Sequence, residues 1–247
     1  IHLVSNGAYT VQCDAAGESL SRMGTTTLAK SLTALAAGAD GTGTPARFSH
    51  QFSNHAVWQS EGEGLTLTQT LRVPERENGE IREFELTWRG EGTWRGELAC
   101  YLEPILAPIQ DYEAHPAFSK LFLESAYTGD GVLFTRRPRR GDGSAALAVL
   151  WDAVSAQFDT SREIALGRGG VRALGRALGR GARSTAGTVL DPCLLARFPL
   201  TLLPGETRRV RLVLAADGRG EDAVETALRL LRLPQGGEET RLDRLLA

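Results

Sequence analysis

Leu65-Thr66-Leu67-Thr68-Gln69-Thr70-Leu71-Arg72-Val73 is the stretch that decides the fold. Leu65, Leu67, Leu71 and Val73 share one parity, and Thr66, Thr68, Thr70 and Arg72 the other. Successive side chains of a strand point to opposite faces, so this alternation predicts a strand with one buried and one wet face. After Asn78-Gly79, a pair that tolerates the positive φ of a hairpin turn, the alternation resumes. Phe84, Leu86 and Trp88 then fall inward, with Glu83, Glu85 and Thr87 outward. The two runs predict a hairpin.

The theme repeats along the chain. Trp94, Leu98, Cys100 and Leu102 form a third inward set, followed by Leu133-Phe134, then Leu147, Val149 and Trp151, then Val210, Leu212 and Leu214. Many short strands between Gly, Pro and Asn turns predict an all-β fold, a large two-sheet antiparallel β-sandwich. Helix enters late. Residues 221–233 carry Val224, Leu228 and Leu231 at helical spacing, begin acidic, and stop at Pro234 and Gly236-Gly237. A second short helix is expected over 238–246. The predicted organisation is a sandwich over residues 1–217 and a helical tail or linker over 218–247.

A chain of 247 residues can bury a substantial core without covalent staples. Its net charge of -2 supplies no field for nucleic acid or an anionic membrane. Cys13, Cys100 and Cys193 are widely spaced in apolar stretches, the pattern of buried free thiols in a reducing compartment rather than of a zinc site. No cofactor or metal motif is present, and no nucleophile elbow or phosphate loop. The longest apolar stretch, residues 145–158, is interrupted by Asp152 and falls short of the ~20 residues a membrane helix needs. The chain begins at Ile1 and is read as a piece of a longer protein.

Two basic segments stand out. Arg168, Arg172, Arg176 and Arg180 recur every fourth residue, which would align them on a helix. The glycines at 167, 169, 170, 175, 179 and 181 each cost a helix roughly 1 kcal/mol and favour a solvated loop. Arg136, Arg137, Arg139 and Arg140 surround Pro138 as a contact for phosphate or an acidic partner, or as a solvated loop tip or interdomain contact. Of the tryptophans, Trp88 and Trp151 share faces with apolar neighbours, which leaves Trp58 and Trp94 as candidate sugar platforms.

Several blocks carry a resemblance. They are Ser5-Asn6-Gly7-Ala8-Tyr9, Glu103-Pro104-Ile105-Leu106-Ala107-Pro108 and Ala114-His115-Pro116-Ala117-Phe118-Ser119-Lys120-Leu121-Phe122. Phe158-Asp159-Thr160-Ser161-Arg162 and Gly187-Thr188-Val189-Leu190-Asp191-Pro192 complete them. Together they resemble the N-terminal β-sandwich of the glycoside phosphorylase family that includes cellobiose and chitobiose phosphorylases. The version in cyclic β-1,2-glucan synthases is the most similar. The resemblance implies a domain of a carbohydrate enzyme whose chemistry resides in a separate helical barrel. It further implies that His115 and Lys120 donate to sugar hydroxyls beside a stacking surface at Tyr112 or Phe118. The alternative at the same residues is that Pro116 turns the chain, Phe118 and Phe122 anchor the loop in the core, and Lys120 is solvated. Residues 31–47 depart from the family, lacking any aromatic side chain where it usually has a tryptophan-rich stretch.

These readings predict a non-catalytic module of a cyclic β-1,2-glucan synthase that holds β-glucan or braces neighbouring domains of the parent polypeptide. No catalytic residue is assigned, because glycosidic hydrolysis needs two carboxyl groups about 5–10 Å apart and no such pair is legible. The alternatives are a scaffold without ligand and the N-terminal half of an active glycoside phosphorylase. By resemblance the parent is a bacterial inner-membrane protein, and the buried-thiol reading favours the cytoplasmic side for this soluble piece. Aromatic rings lining a groove on an outer sheet face would mark sugar binding, whereas a smooth charged face would mark bracing.

Overall fold

A computed structural model of the chain describes residues 1–38, 47–51, 55–137, 144–153, 155–169, 174–179 and 181–234. The early strands are β1 (His2–Ser5), β2 (Tyr9–Cys13), β3 (Ser19–Met23), β4 (Thr26–Gly38), β5 (Arg47–Gln51), β6 (His55–Gly62), β7 (Leu65–Arg72), β8 (Gly79–Trp88) and β9 (Trp94–Pro108). Two short helices follow, α1 (Ile109–Ala114) and α2 (Pro116–Lys120). Then come β10 (Leu123–Tyr127), β11 (Gly131–Arg136), β12 (Ala145–Trp151), β13 (Gln157–Ser161), α3 (Arg162–Leu166) and α4 (Leu174–Ala177). The described part closes with β14 (Pro192–Leu202), β15 (Thr207–Asp217) and α5 (Gly220–Leu231).

The strands form two antiparallel sheets, ordered β1-β2-β3-β4-β9-β14-β13 and β10-β11-β12-β15-β8-β7-β6-β5. The sandwich expected from the alternation is therefore the fold. Leu65, Leu67 and Leu71 of β7, Phe84 and Leu86 of β8, Leu98, Cys100 and Leu102 of β9 and Val210, Leu212 and Leu214 of β15 meet in one core between the sheets.

The β7–β8 hairpin forms, pairing Leu65 with Trp88 and Arg72 with Ile81, but its turn is not at Asn78-Gly79. The connection runs over residues 73–78 and Gly79 belongs to β8. Asn6 pins that loop, its Nδ2 donating to Pro74 O at 2.6 Å and Glu77 O at 2.9 Å. Glycine is needed at 79 for close approach, since a Cβ there would lie 2.5 Å from Leu214 O and 2.6 Å from Leu230 Cδ1.

Leu230 belongs to α5, which packs on the outer face of the eight-stranded sheet. The expected helix is there, with its buried stripe rotated: Ala223, Ala227 and Leu230 are fully buried, while Val224, Leu228 and Leu231 flank the contact. Small residues win because the sheet beneath offers Ala146, Ala148 and Ala215, so helix and sheet approach closely. Arg211 of β15 holds the end of α5, its Nη1 donating to Leu231 O at 3.1 Å and also to Leu233 O.

The glycine- and arginine-rich stretch is not simply a solvated loop. α3 and α4 cover the outer face of the seven-stranded sheet, burying Leu166, Leu174, Ala177 and Leu178 against Tyr101, Cys193 and Leu195. The apolar residues between the arginines outweigh the glycine cost. Arg172 and Arg180 lie outside the described residues, as do the expected helix at 238–246, Arg139 and Arg140.

A buried ion pair joins the sheets. Arg82 Nε lies 2.9 Å from Glu80 Oε1, both side chains fully buried. Across the core, Ser21 Oγ donates to Glu80 at 2.9 Å and Arg82 Nη2 donates to Ser19 Oγ at 2.7 Å. The three cysteines are free and buried; burial pushes the thiols of Cys13 and Cys100 up to about 11 and about 12 and raises that of Cys193. Among the described residues no helix is long and apolar enough to cross a membrane.

Candidate functional site

Four of the sequence blocks converge on one charged network on the seven-stranded sheet. Arg162, which opens α3, is its bridge. Its Nη1 donates to Asp191 Oδ2 at 3.0 Å and its Nε lies 3.5 Å from Glu103 Oε1. Lys120, at the end of α2, pairs with Asp191 Oδ1. Tyr101 donates its hydroxyl to Glu103 at 2.9 Å, and Lys30 approaches the other Glu103 oxygen at 3.6 Å.

The backbone is shaped for this. Between Lys30 and Thr33 the β4–β9 register shifts, and Ser31 there has φ of 52°. Such a bulge re-aims the side chains beside it, here bringing Lys30 across from Glu103. A second register shift in the same pair accompanies Leu106, whose φ is 51°. It leaves Ile105 and Ala107 both packing on Tyr112 of α1. Glu103 thus sits, 6% exposed, between the apolar island under α1 and the one under α3 and α4.

Burial works against ionisation of Asp191, but hydrogen bonds from Lys120 and Arg162 outweigh it and hold the carboxyl below its ordinary range. A general acid needs the opposite shift. Every carboxylate oxygen of Asp191 and Glu103 has a cationic or hydroxyl partner. The arrangement ties these segments together and is not built to transfer a proton.

The sequence candidates fare unequally. His115 is exposed between α1 and α2, where its carbonyl accepts from Ser119 N at 2.9 Å. Lys120 is neither solvated nor free for a sugar: its side chain is 13% exposed and committed to Asp191. Tyr112 is buried, with Lys30 Nζ 4.8 Å from its ring centroid, so it offers no stacking face. Trp58 is a core residue, 1% exposed, its Nε1 donating to Asp14 O at 3.1 Å. Trp94 is partly buried against the core, its ring packed over Gly96. Phe118 reverses the expectation of a core anchor, being 46% exposed and meeting the half-buried Phe122 edge-on at 5.2 Å. Arg136 is structural, its Nη1 donating to Ser119 O at 3.0 Å and Oγ at 3.1 Å, and Arg137 pairs with Glu124.

Sequence reasoning quoted Glu103, Arg162 and Asp191 inside motifs but gave them no role; their recurrence in three separate blocks was the available signal. On the opposite sheet, β7, β8 and β15 frame an open groove of about 340 Å³ lined by Thr68, Thr70, Arg72, Glu83, Arg209 and Arg211. Phe84 and Val210, which also border it, turn their side chains into the core. Among the described residues no aromatic ring faces this groove.

The sequence model of the glycosyl hydrolase 94 supersandwich domain matches residues 29–232. The chain belongs to that family. It is a glycosyl hydrolase 94 supersandwich domain. No curated protein matches it in sequence. Among solved structures it is similar to a bacterial glucoamylase complexed with acarbose, with a TM-score of 0.66 at 9% identity, over 98% of this chain and 35% of that one. It is also similar to an Escherichia coli K12 protein described as an aldose 1-epimerase, with a TM-score of 0.55 at 10% identity, over 88% of this chain and 98% of that one. At these identities the likeness is one of fold. This supersandwich spans about a third of the glucoamylase's length.

Proposed function

We propose that this chain is a supporting module of a larger carbohydrate-active enzyme, a cyclic β-1,2-glucan synthase, and that it braces a neighbouring domain of the same polypeptide through the face around Asp191. One observation carries the reading. Of the nine exposed large apolar side chains among the described residues, Phe118, Leu121, Ile164 and Leu190 all lie within two residues of Lys120, Arg162 or Asp191. Leu190 is 81% exposed. Exposed apolar side chains rimmed by charges mark interaction surfaces, and the ion pairs beneath hold α2, α3 and the 187–191 segment in one arrangement. The charged, ring-free groove on the other sheet supports bracing over a long sugar-binding cleft there. The motif resemblance supports the glucan synthase parent, and the three buried thiols support a reducing, cytoplasmic side for this piece.

The test is a pair of substitutions, Phe118→Asp and Leu190→Asp, made in the isolated chain and in the full-length parent. Both side chains are exposed in the chain alone, so its melting temperature should stay within about 2 °C. The parent should lose stability or glucan synthesis. A parent unaffected by both charges would overturn the proposal.

A further inference from the structure

Tyr127, the last residue of β10, is 56% exposed, yet its ring is fixed in place. One face stacks on Phe158 at 5.2 Å with an interplanar angle of 17°, and its hydroxyl donates to Gly129 O. Phe158 cannot yield, because it is 6% exposed and packed on Trp151 at 6.1 Å, which in turn meets Phe198 edge-on at 6.1 Å. The tyrosine therefore has no room to fold inward, and its second face is presented to solvent.

Polar groups lie beside Tyr127 along the chain. Ser125 exchanges two main-chain hydrogen bonds with Gly187, at 3.1 and 2.7 Å, on the edge of β10 away from β11. Thr128, of the other parity, donates to Gly131 O on the β11 side at 2.9 Å. Tyr127 shares the parity of Ser125, so its N–H and C=O point to the open edge, beyond the bridge and without a partner among the described residues. The exposed Asp130 follows in the turn whose Gly129 holds the tyrosine hydroxyl. An edge this short cannot accept an added peptide strand, which needs several consecutive open residues.

We propose that Tyr127 is the stacking platform of a subsite for one uncharged pyranose of a glucan chain. The apolar C–H face of the sugar covers the ring, while its hydroxyls meet the Tyr127 main-chain pair and the Asp130 carboxylate. This rests on the reading of the chain as part of a carbohydrate enzyme, but not on the docking face. Tyr127 stands about 13 Å along β10 from Leu123 and takes no part in the ion pairs around Asp191.

The test is titration of the chain with linear β-1,2-gluco-oligosaccharides, cello-oligosaccharides and malto-oligosaccharides, followed by amide NMR shifts. At least one series should shift residues 125–130 and 185–188. Tyr127→Ala, with an otherwise unchanged spectrum, should weaken binding about three- to tenfold, the effect of losing one stacked ring. Tyr127→Phe should bind nearly as the original, and so should Phe118→Asp and Leu190→Asp. Unchanged affinity in Tyr127→Ala, shifts confined to other residues, or no response to any of the three sugars would overturn the subsite and leave the bracing proposal standing. Loss of binding in Phe118→Asp or Leu190→Asp would move the sugar to the docking face and overturn the Tyr127 assignment.

Discussion

Arg82→Met should melt far below the original protein, because it leaves the Glu80 carboxylate in the core with no cation. Both side chains are fully buried and 2.9 Å apart, so neither charge can be rehydrated by a small shift. Removing one partner of such a pair costs about 3–5 kcal/mol. At about 2–4 °C per kcal/mol for a chain of this size, the melting temperature should fall by about 6–20 °C. Glu80→Leu should do the same from the other side. The double variant Glu80→Leu/Arg82→Met should melt above both singles, since no charge is then stranded. It should stay below the original, because Ser19 and Ser21 lose their partners at about 1 kcal/mol each. Thermal melts followed by circular dichroism test all three. Single variants within about 2 °C of the original, or a double variant less stable than either single, would refute this reasoning.

Asp191→Asn should speed amide exchange in α2 and over 187–191 while costing only about 1 kcal/mol or less, since the Asp191 and Arg162 side chains are one-third exposed and screened. The folded carboxyl titrates below its unfolded value. Its contribution is therefore complete above about pH 4 and is lost as pH falls through the lower, folded value; acid titration of stability should be flatter in Asp191→Asn than in the original. Leu230→Ala should cost about 2–5 kcal/mol by opening a cavity under α5. Phe118→Ala, at a half-exposed ring, should cost under about 1 kcal/mol by the same melts. Cys13 and Cys100 should resist thiol reagents at pH 7 until denaturant is added, because burial holds both as neutral thiols.

β7 was legible because one of its faces is wetter than the other, which writes period two into the sequence. The signal failed where both faces are buried. Ala99 and Tyr101 of β9 are as buried as Leu98 and Cys100, and only the structure shows that α3 and α4 cover them. The α5 stripe was missed because alanine carries little hydrophobic signal, although on an alanine-rich sheet it packs most closely. Glu80 and Arg82 carry no sequence signal of burial, because the serines they bond across the core, Ser21 and Ser19, lie about sixty residues away. Lys120 and Asp191 are 71 residues apart, so the motifs announced the network without its pairing. Tryptophan drew attention as a sugar platform through its size alone; Trp58 is core, while Tyr127, at the end of an ordinary strand, keeps an open face.

Hydrogen exchange compared between the isolated chain and the same residues within the full-length parent tests the central claim most directly. The account predicts that residues 116–122, 162–166 and 187–191 are protected in the parent relative to the chain alone, while the 68–72 and 207–211 segments of the charged groove exchange alike in both. Protection at the groove, or no change around Asp191, would contradict it.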